Sequence, residues 1–422
     1  MQVFTSNIFL MKTETSFLKN PFFISWILAL LFYALEYAIR SSPSVMIGDL
    51  KESYGATRTE VSSMISAYYI SYSITSLAAG LFLDRMGARK PVFFGILVLA
   101  IGSLLFGGSH YVVGYAGRLM QGAGSAMAFP AAVYIAVKAF SGKNLATAIG
   151  ITQTLGMLGG SAGQKLSNTY LTNGNSVTSI WIIFGVTSLI LALLAFLFTP
   201  KTEAGGKIEK QKNFLDNYKI IFGNPQSYLS GLVSGLLFAP TTIFAMIWGV
   251  DFLQKSRGLS HETATVACAL VPIGWAIGCP LLGWMADKIK RRIPMIIAGA
   301  ALMILSLLQL AYLPSLMSVN ISLLLMGIGS GAAMIPYSII KEVNPDKVKG
   351  SATGAINFLT FGVTTLLAPL FSSLYGSKLT KSLDTNSLLQ YSLLFFVIGI
   401  SCAIVISIFL KETGNLKPEE AV

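Results

Sequence analysis

The stretch that decides the fold is FFISWILALLFYALEYAIRSSPSVMIGDL, residues 22–50. It is apolar for most of its length, and at about 1.5 Å per residue it is long enough to cross a bilayer core of ~30 Å. Glu36 and Arg40 lie in the middle of it. A charge facing lipid at a helix centre costs roughly 2.5–3.5 kcal/mol, and residues four apart share one helix face. We therefore predict that this face looks into protein or into a water-filled cavity.

The composition of the chain indicates a polytopic membrane protein. Of 422 residues, 54% are hydrophobic and 11% are charged, whereas a soluble domain carries about 25% charge. The net charge of +12 comes from Lys and Arg in short loops between apolar segments, which is typical of the positive-inside rule rather than of nucleic-acid binding. We expect a lipid bilayer and no nucleic acid as partners.

The sequence contains no pattern typical of a disulfide, a metal site, a phosphate-binding loop or a catalytic site. The three cysteines, Cys268, Cys279 and Cys402, lie far apart in apolar segments, so we expect free thiols. The two histidines lie at predicted loop edges and favour no metal site. The sequence has no phosphate-binding G-x-x-x-x-G-K-[ST] loop and no catalytic cluster. We expect no cofactor, no metal and no enzymatic activity.

Hydrophobic segments predict an all-α fold with twelve transmembrane helices in two six-helix bundles. The predicted spans are 22–48, 60–83, 91–109, 111–137, 145–166, 178–199, 227–250, 262–286, 293–313, 317–340, 350–375 and 389–410. The domains would be residues 1–199, a cytoplasmic linker loop at 200–226, and residues 227–422. An orientation with both termini in the cytoplasm puts most Lys and Arg residues inside. We expect a monomer in a bacterial inner membrane.

The two halves of the chain repeat each other at a nearly constant offset. Gly80-Leu-Phe-Leu-Asp84-Arg85 near the end of the second span matches Gly283-Trp-Met-Ala-Asp287-Lys288 near the end of the eighth. Gly150 with Gln153 matches Gly354 with Asn357. Such repeats are how transporters build two halves around one central site.

One loop motif carries a family resemblance. Gly80-Leu-Phe-Leu-Asp84-Arg85-Met-Gly87-Ala-Arg89-Lys90 closely resembles the G-x-L-x-D-R-x-G-R-[KR] signature of the major facilitator superfamily, and Arg118-Leu-Met-Gln121-Gly122-Ala-Gly124 is similar to its R-x-x-Q-G-x-G motif. The resemblance implies a conformational latch between the two halves at Gly80, Asp84, Arg85, Gly87, Arg89 and Asp287. Gly80 would allow close helix approach, and Asp84 would pair with cations or with a helix N-terminus. Alternatively, the cations only determine topology.

The first span resembles two branches of this family. Tyr33-x-x-Glu36-Tyr37-x-x-Arg40 is similar to organic-anion transporters, in which an arginine at this place meets the anionic group of the substrate. The run Arg40-Ser-Ser-Pro43-Ser-Val-Met46 resembles phagosomal nutrient transporters of proteobacteria. Residues 227–250 contain no arginine, so a single Arg40 suits one carboxylate rather than a phosphate dianion.

The predicted substrate-binding residues extend over both halves of the chain. We predict Arg40, Tyr33, Tyr37, Tyr72, Gln153, Asn357, Trp248 and Tyr337, with Tyr68, Gln121, Tyr134 and Trp275 as weaker candidates. Glu36 and Arg118 are predicted to couple protons to transport, because burial disfavours a charged carboxylate and loss of its arginine partner to a substrate would favour protonation. The alternatives are a permanent Glu36–Arg40 salt bridge that only packs the first span, and aromatic residues that only fill space. Gly156, Gly159 and Gly160 are predicted to form a helix-packing face.

The sequence favours proton-coupled uptake of a small anionic substrate, either an amino acid, a sugar acid or an organic acid. Transport of a drug or a carboxylate siderophore is the first alternative. The fifth span lacks the proline expected in the corresponding motif of drug–proton antiporters, which disfavours export. A transporter-like sensor that moves nothing is the second alternative.

Overall fold

The computed structural model describes residues 20–140, 143–201, 214–345, 348–375 and 385–414, and this part of the chain is helical and contains no strand. Twelve long helical segments follow one another. They are α1 Pro21–Val45, α2 Arg58–Met86, α3 Arg89–Phe106, α4 Tyr111–Ala139, α5 Lys143–Thr172, α6 Val177–Phe198, α7 Pro225–Arg257, α8 His261–Ile289, α9 Ile293–Tyr312, α10 Val319–Glu342, α11 Lys349–Tyr375 and α12 Thr385–Ile408.

Most of these segments are long and apolar enough to span a bilayer. Ten segments of the described chain meet both conditions. The other two, α2 and α5, have 29 and 30 residues but are more polar. The all-α fold is therefore confirmed, while the number of twelve membrane crossings stays a prediction. Thr57 and Glu60 have the three-residue spacing of a capping box, and this capping box is present at the start of α2, where it satisfies two free backbone N–H groups.

Every third segment is interrupted within its length. α1 ends its α-helix at Ser41 and continues as a 3₁₀ turn, Ser42–Val45. α4 has a break between Ser125 and Ala128. α7 contains a π-helix, Pro240–Trp248, and α10 contains a 3₁₀ turn, Gly331–Met334. The hydropathy of the predicted spans gave no indication of these interruptions.

The helices of the first half pack in the same pairs as those of the second. In the first half α1 packs on α5, α2 on α4, and α3 on α6; in the second α7 packs on α11, α8 on α10, and α9 on α12. The two halves meet where α2 packs on α11 and α5 on α8. This pairing supports our proposal of two equivalent bundles divided at residues 200–226.

The sequence predicted a loop between the halves, but part of this segment is a helix. Phe214–Gly223 forms a helix, here called the linker helix. The Tyr218 hydroxyl donates a hydrogen bond of 2.6 Å to the Leu77 carbonyl of α2. Burial raises the pKa of the Tyr218 phenol. The linker helix docks because it places an aromatic side chain against the bundle while its lysine faces solvent.

Polar contacts join the halves at both ends of the molecule. At the end that carries the linker helix, here called the linker end, Ser73 Oγ donates to the Phe358 carbonyl at 2.7 Å. At the opposite end, here called the far end, Lys165 Nζ pairs with Glu262 Oε1 at 2.8 Å, and Arg58 pairs with Asp251. These contacts lie on either side of the middle of the molecule, where the two halves enclose a cavity.

Candidate functional site

The predicted pair on α1 forms a salt bridge in the interior. Arg40 Nη2 lies 3.0 Å from both carboxylate oxygens of Glu36, and both side chains are 0% exposed. Their four-residue spacing puts them one turn apart on the same face of α1, as the sequence predicted. Buried charges are tolerated when each is paired and hydrogen-bonded, and this pair satisfies that condition.

Tyr68 of α2 is the third member of this buried group. Its hydroxyl donates to Glu36 Oε2 at 2.7 Å and accepts a hydrogen bond from Arg40 Nε at 3.2 Å. The three side chains form a closed triangle, here called the Glu36 triad. The sequence marked Tyr68 only as a weaker candidate, because no local spacing shows that α2 brings it to α1.

Aromatic rings enclose the Arg40 guanidinium. Its central carbon lies 4.2 Å from the ring centroid of Tyr37, 4.7 Å from that of Tyr72 and 5.2 Å from that of Phe361. Such distances allow cation–π attraction, which is strong where water is excluded. Nη1 of Arg40 has no hydrogen-bond acceptor among the described residues. Phe361 belongs to α11, so the second half contributes to the enclosure of a charge carried by the first.

A small cavity lies beside this enclosure, between the two halves. Its volume is about 30 Å³, which is room for about one water molecule. Six of the predicted substrate-binding residues line it, namely Tyr33, Tyr37, Tyr72, Gln153, Tyr337 and Asn357. The other lining residues are Phe129, Ser234, Phe238, Trp275, Ala333, Met334, Thr360 and Phe361. Arg40 is not among them, since the rings of Tyr37, Tyr72 and Phe361 separate it from the cavity.

Two amide–tyrosine pairs face each other across this cavity. The Tyr33 hydroxyl donates to Gln153 Oε1 at 2.7 Å, and the Tyr337 hydroxyl donates to Asn357 Oδ1 at 2.6 Å. One pair comes from each half. Gln153 Nε2 donates one weak hydrogen bond to Met334 Sδ at 3.8 Å. An amide nitrogen carries two N–H groups, so each amide still offers a donor to a ligand. Trp275 adds an indole N–H that is buried and has no acceptor in the described part of the chain.

Arg118 lies close to the Glu36 triad but is directed at the backbone of α1. It donates to the carbonyls of Ile39 and Arg40 at 3.1 and 2.8 Å, and to Gln121 Oε1 at 2.7 Å. These carbonyls belong to the last turn of the α-helix before the 3₁₀ turn, where they lack intrahelical donors. Arg118 thus caps the helix that carries Arg40, and its role in proton coupling stays a prediction.

Trp248, like Arg40, does not line the cavity. It is buried in the π-helix of α7 and packs against Phe371 and Tyr375, with centroid distances of 6.3 and 5.0 Å. A π-helix accommodates an extra residue, so the face presented by the following residues turns by about 100°. The sequence could not show this rotation. The tryptophan at the cavity is Trp275 of α8.

Two of the predicted latch residues, Arg89 and Asp287, form contacts within their own halves. Arg89 Nε donates to the Phe196 carbonyl at 2.7 Å in the first half. Asp287 pairs with Arg292 at 3.3 Å in the second half. Burial lowers the pKa of Arg292, but its hydrogen bond and ion pair with Glu342 more than offset this, so that its pKa is raised.

Among the described residues, Gly80, Arg85 and Gly87 show no contact between the halves. A Cβ built on Gly80 would meet nothing within 4 Å, so the close helix approach expected at Gly80 is not present in this conformation. Arg85 is exposed. Gly87 ends α2 with a positive φ of 68°, which favours glycine. The side chain of Asp84 lies outside the described part of the chain, and the latch stays a prediction.

A comparison with protein families identifies one match that covers most of the chain. The family described as Major Facilitator Superfamily matches residues 26–369. Among solved structures, the fold is similar to a bacterial homologue of the human lysosomal transporter Spinster in an inward-facing, unoccupied conformation. The TM-score is 0.74 at 15% identity, and the match covers 95% of this chain and 99% of the other.

Curated relatives are remote but extend over most of the chain. The chain is 23% identical to the D-galactonate transporter of Escherichia coli O6:H1 over 356 residues, which cover 76% of this chain and 82% of the relative. It is 24% identical to the membrane sensor protein UhpC of Escherichia coli K12 over 421 residues, which cover 92% of this chain and 91% of the relative.

Proposed function

Because the chain belongs to the Major Facilitator Superfamily, we propose that this multi-pass membrane transporter takes up a small carboxylate-bearing nutrient together with protons by alternating access. The observation that carries the proposal is the fully buried Glu36 triad, next to a cavity that both halves line. Ionisable side chains inside a membrane protein are costly and mark substrate or proton pathways.

Arg40 is the proposed binding group for the substrate carboxylate. A guanidinium presents a planar fork of donors that matches a carboxylate. The rings of Tyr37, Tyr72 and Phe361 cover it in this conformation, and the cavity is smaller than any organic acid. Binding therefore requires these rings to move, and the cavity to expand toward Arg40.

The rest of the cavity supports a hydroxylated substrate body. The amides of Gln153 and Asn357, and the indole of Trp275, offer neutral hydrogen-bond donors. The carboxylate that an amino group would need is Glu36, which Arg40 and Tyr68 already hold. The name of one relative, the D-galactonate transporter, agrees with a hydroxy acid. We favour a sugar acid or another hydroxy acid over an amino acid.

Charge balance connects substrate binding to a proton. When the substrate carboxylate takes Arg40, Glu36 loses the partner that compensates its charge in a low-dielectric interior. Protonation of Glu36 then restores neutrality, since one cation and one anion remain. Anion and proton would thus bind together and be released together, which is symport.

Glu36→Gln tests the coupling, because it imitates the protonated carboxyl. In proteoliposomes it should retain counterflow exchange of substrate but lose accumulation driven by a pH gradient. Glu60→Gln is the matched control, since glutamine also completes a capping box at the exposed start of α2. If Glu36→Gln accumulates substrate like the wild type, Glu36 is not the proton carrier.

A binding screen with carboxylates gives the substrate for these assays. We expect thermal stabilisation of the purified protein by hydroxy acids such as D-galactonate, and none by the corresponding neutral sugars, because binding to the folded state raises its stability. Stabilisation by amino acids alone would overturn the preference for a hydroxy acid while leaving the carboxylate site intact.

A second candidate function is ligand sensing without transport, which the similarity to the sensor UhpC favours. A sensor would bind the carboxylate in the screen but show neither counterflow nor uptake in proteoliposomes. Export is distinguished by comparing uptake in whole cells and in inverted vesicles. We further propose a bacterial inner membrane location, cytoplasmic termini and a monomeric state.

A further inference from the structure

The π-helix of α7 leaves one carbonyl without a donor in its own helix. The Gly249 N–H donates to the Phe244 carbonyl, five residues earlier. An α-helical N–H bonds four residues back, so the change from π-helix to α-helix at Gly249 passes over the carbonyl of Ala245. All nine residues of the π-helix are buried. An unpaired backbone carbonyl inside a membrane is strongly disfavoured, so this one requires a donor from elsewhere.

Gln164 of α5 supplies that donor. Its Nε2 donates to the Ala245 carbonyl at 2.8 Å and to Ser44 Oγ at 2.9 Å. The side chain is 0% exposed, and its Oε1 has no partner among the described residues, so the side chain is used for its N–H groups. Ser44 lies in the 3₁₀ turn of α1. One amide therefore holds the interruption of α1 and the interruption of α7.

The hydrogen bond to Ala245 joins the two halves, as does the bond of 2.7 Å from Ser161 Oγ to the Ala269 carbonyl of α8. Two other neighbouring hydrogen bonds do not. Ser41 Oγ donates to the Gly160 carbonyl at 2.6 Å, and Ser167 Oγ donates to Ser42 Oγ at 2.9 Å. Both connect α1 to α5 inside the first half, so these two helices move together. Opening of the far end must separate α5 from α7, and it must break the bond between Gln164 and Ala245.

A second cavity shares one lining residue with this hydrogen-bonded group. A larger cavity of about 460 Å³ lies at the far end and is lined by Ser44, Asn168, Val250 and Asp251, among others. Ser44 is thus shared between this cavity and the amide of Gln164. When the far end opens, water from the cavity can replace the amide at the Ala245 carbonyl. The bond can therefore break and reform without leaving an orphaned acceptor.

We propose that Gln164 is a positioning residue for alternating access, which holds the far end closed by donating to the carbonyl that the π-helix leaves free. Its side chain does not line the central cavity. It acts on the equilibrium between the two conformations, whatever substrate the transporter carries.

Spin-label distances across the far end test this proposal. Labels are attached at Asn173→Cys and Thr263→Cys, two exposed sites on opposite halves, in a background with Cys268, Cys279 and Cys402 replaced by alanine. Without substrate, Gln164→Leu should raise the ratio of long to short distances about tenfold, the change expected when a buried acceptor loses its donor. Ser167→Ala, which removes a hydrogen bond within the first half, should leave the ratio at its wild-type value.

Two results would overturn the role of Gln164. One is a wild-type distance distribution in Gln164→Leu; the other is an equal shift in Ser167→Ala, which would indicate a general loss of packing. Should Gln164→Leu fail to fold, Gln164→Asn shortens the side chain by one methylene and keeps a polar group. It should give the same shift, and an unshifted distribution would count equally against the proposal. The measurement needs no substrate, so its outcome is independent of the role of Glu36.

Discussion

Arg40 is the side chain on which the proposed substrate selectivity depends. Arg40→Lys keeps the charge but loses the planar fork and the stacking with Tyr37 and Tyr72. A charge-assisted hydrogen bond is worth ~1.5–3 kcal/mol, so we expect about ten- to a hundred-fold weaker binding of the carboxylate ligand. Isothermal titration with the best ligand of the screen measures this loss. Equal affinity in Arg40→Lys would place the carboxylate elsewhere.

Tyr68 is the residue that completes the Glu36 triad from outside α1. Tyr68→Phe keeps the ring and removes the hydroxyl that bridges Glu36 and Arg40. Loss of a hydrogen bond to a charged group should reduce proton-driven uptake about tenfold. Tyr69→Phe is the matched control, since the neighbouring hydroxyl makes a long hydrogen bond of 3.4 Å to the Thr242 carbonyl. Equal rates in the two variants would argue against a role of Tyr68 in coupling.

The interruptions of α1, α4, α7 and α10 show what allows a helix to be broken inside the protein. Pro43 and Pro240 lie at two of these interruptions, but Pro272 and Pro280 lie inside the continuous helix α8. Proline alone therefore does not determine where a helix is broken. The breaks persist where side chains such as Arg118 and Gln164 satisfy the carbonyls that they release.

Small residues on α5 allow α1 to approach closely. A Cβ built on Gly163 would lie 2.5 Å from the Ala38 Cα, which is backbone and cannot rotate away. Overpacking of this kind costs about 1–3 kcal/mol, so Gly163→Ala should lower the thermal stability of the purified protein. Gly150→Ala in the same helix meets nothing within 4 Å and should be neutral or slightly stabilising. Equal melting temperatures for the two variants would contradict close packing at Gly163.

In the molecule as a whole, the described contacts between the halves include ion pairs at the far end. The far end combines the ion pairs of Lys165 with Glu262 and Arg58 with Asp251 with the hydrogen bond from Gln164 to the Ala245 carbonyl. The linker end uses hydroxyl groups on backbone carbonyls, from Ser73 and Tyr218. Exposed ion pairs contribute little and weaken with salt. The equilibrium between closure of the far end and closure of the linker end is thus expected to shift with ionic strength, because salt weakens the ion pairs at the far end.

Tyr218 is expected to stabilise the linker end in its present arrangement. Tyr218→Phe removes the hydrogen bond to the Leu77 carbonyl, which should favour separation of the halves there about two- to tenfold. Distances between labels at Lys90→Cys and Lys288→Cys, both exposed, report the change. Tyr228→Phe, a half-exposed tyrosine in α7, serves as control. An unchanged distribution in Tyr218→Phe would show that the linker helix only fills space.

Features that depend on local spacing could be predicted from the sequence. The apolar periodicity, the salt bridge between Glu36 and Arg40, the capping box at Thr57 and the small face of α5 follow from residues three or four positions apart, since helix geometry relates such residues directly. The repeat also indicated that Gln153 and Asn357 occupy equivalent places. Both line the central cavity in the structure.

The helix faces that meet could not be predicted from the sequence and are visible in the folded protein. The hydroxyl of Tyr68 in the triad, the ring of Phe361 over Arg40 and the exchange of Trp248 for Trp275 at the cavity all depend on how far each helix is rotated. A π-helix turns every following residue by about 100°, and the docking of the linker helix depends on contacts with a distant segment. Local spacing predicts neither the rotation of a helix nor the docking of the linker helix, because both depend on packing between elements far apart in the chain.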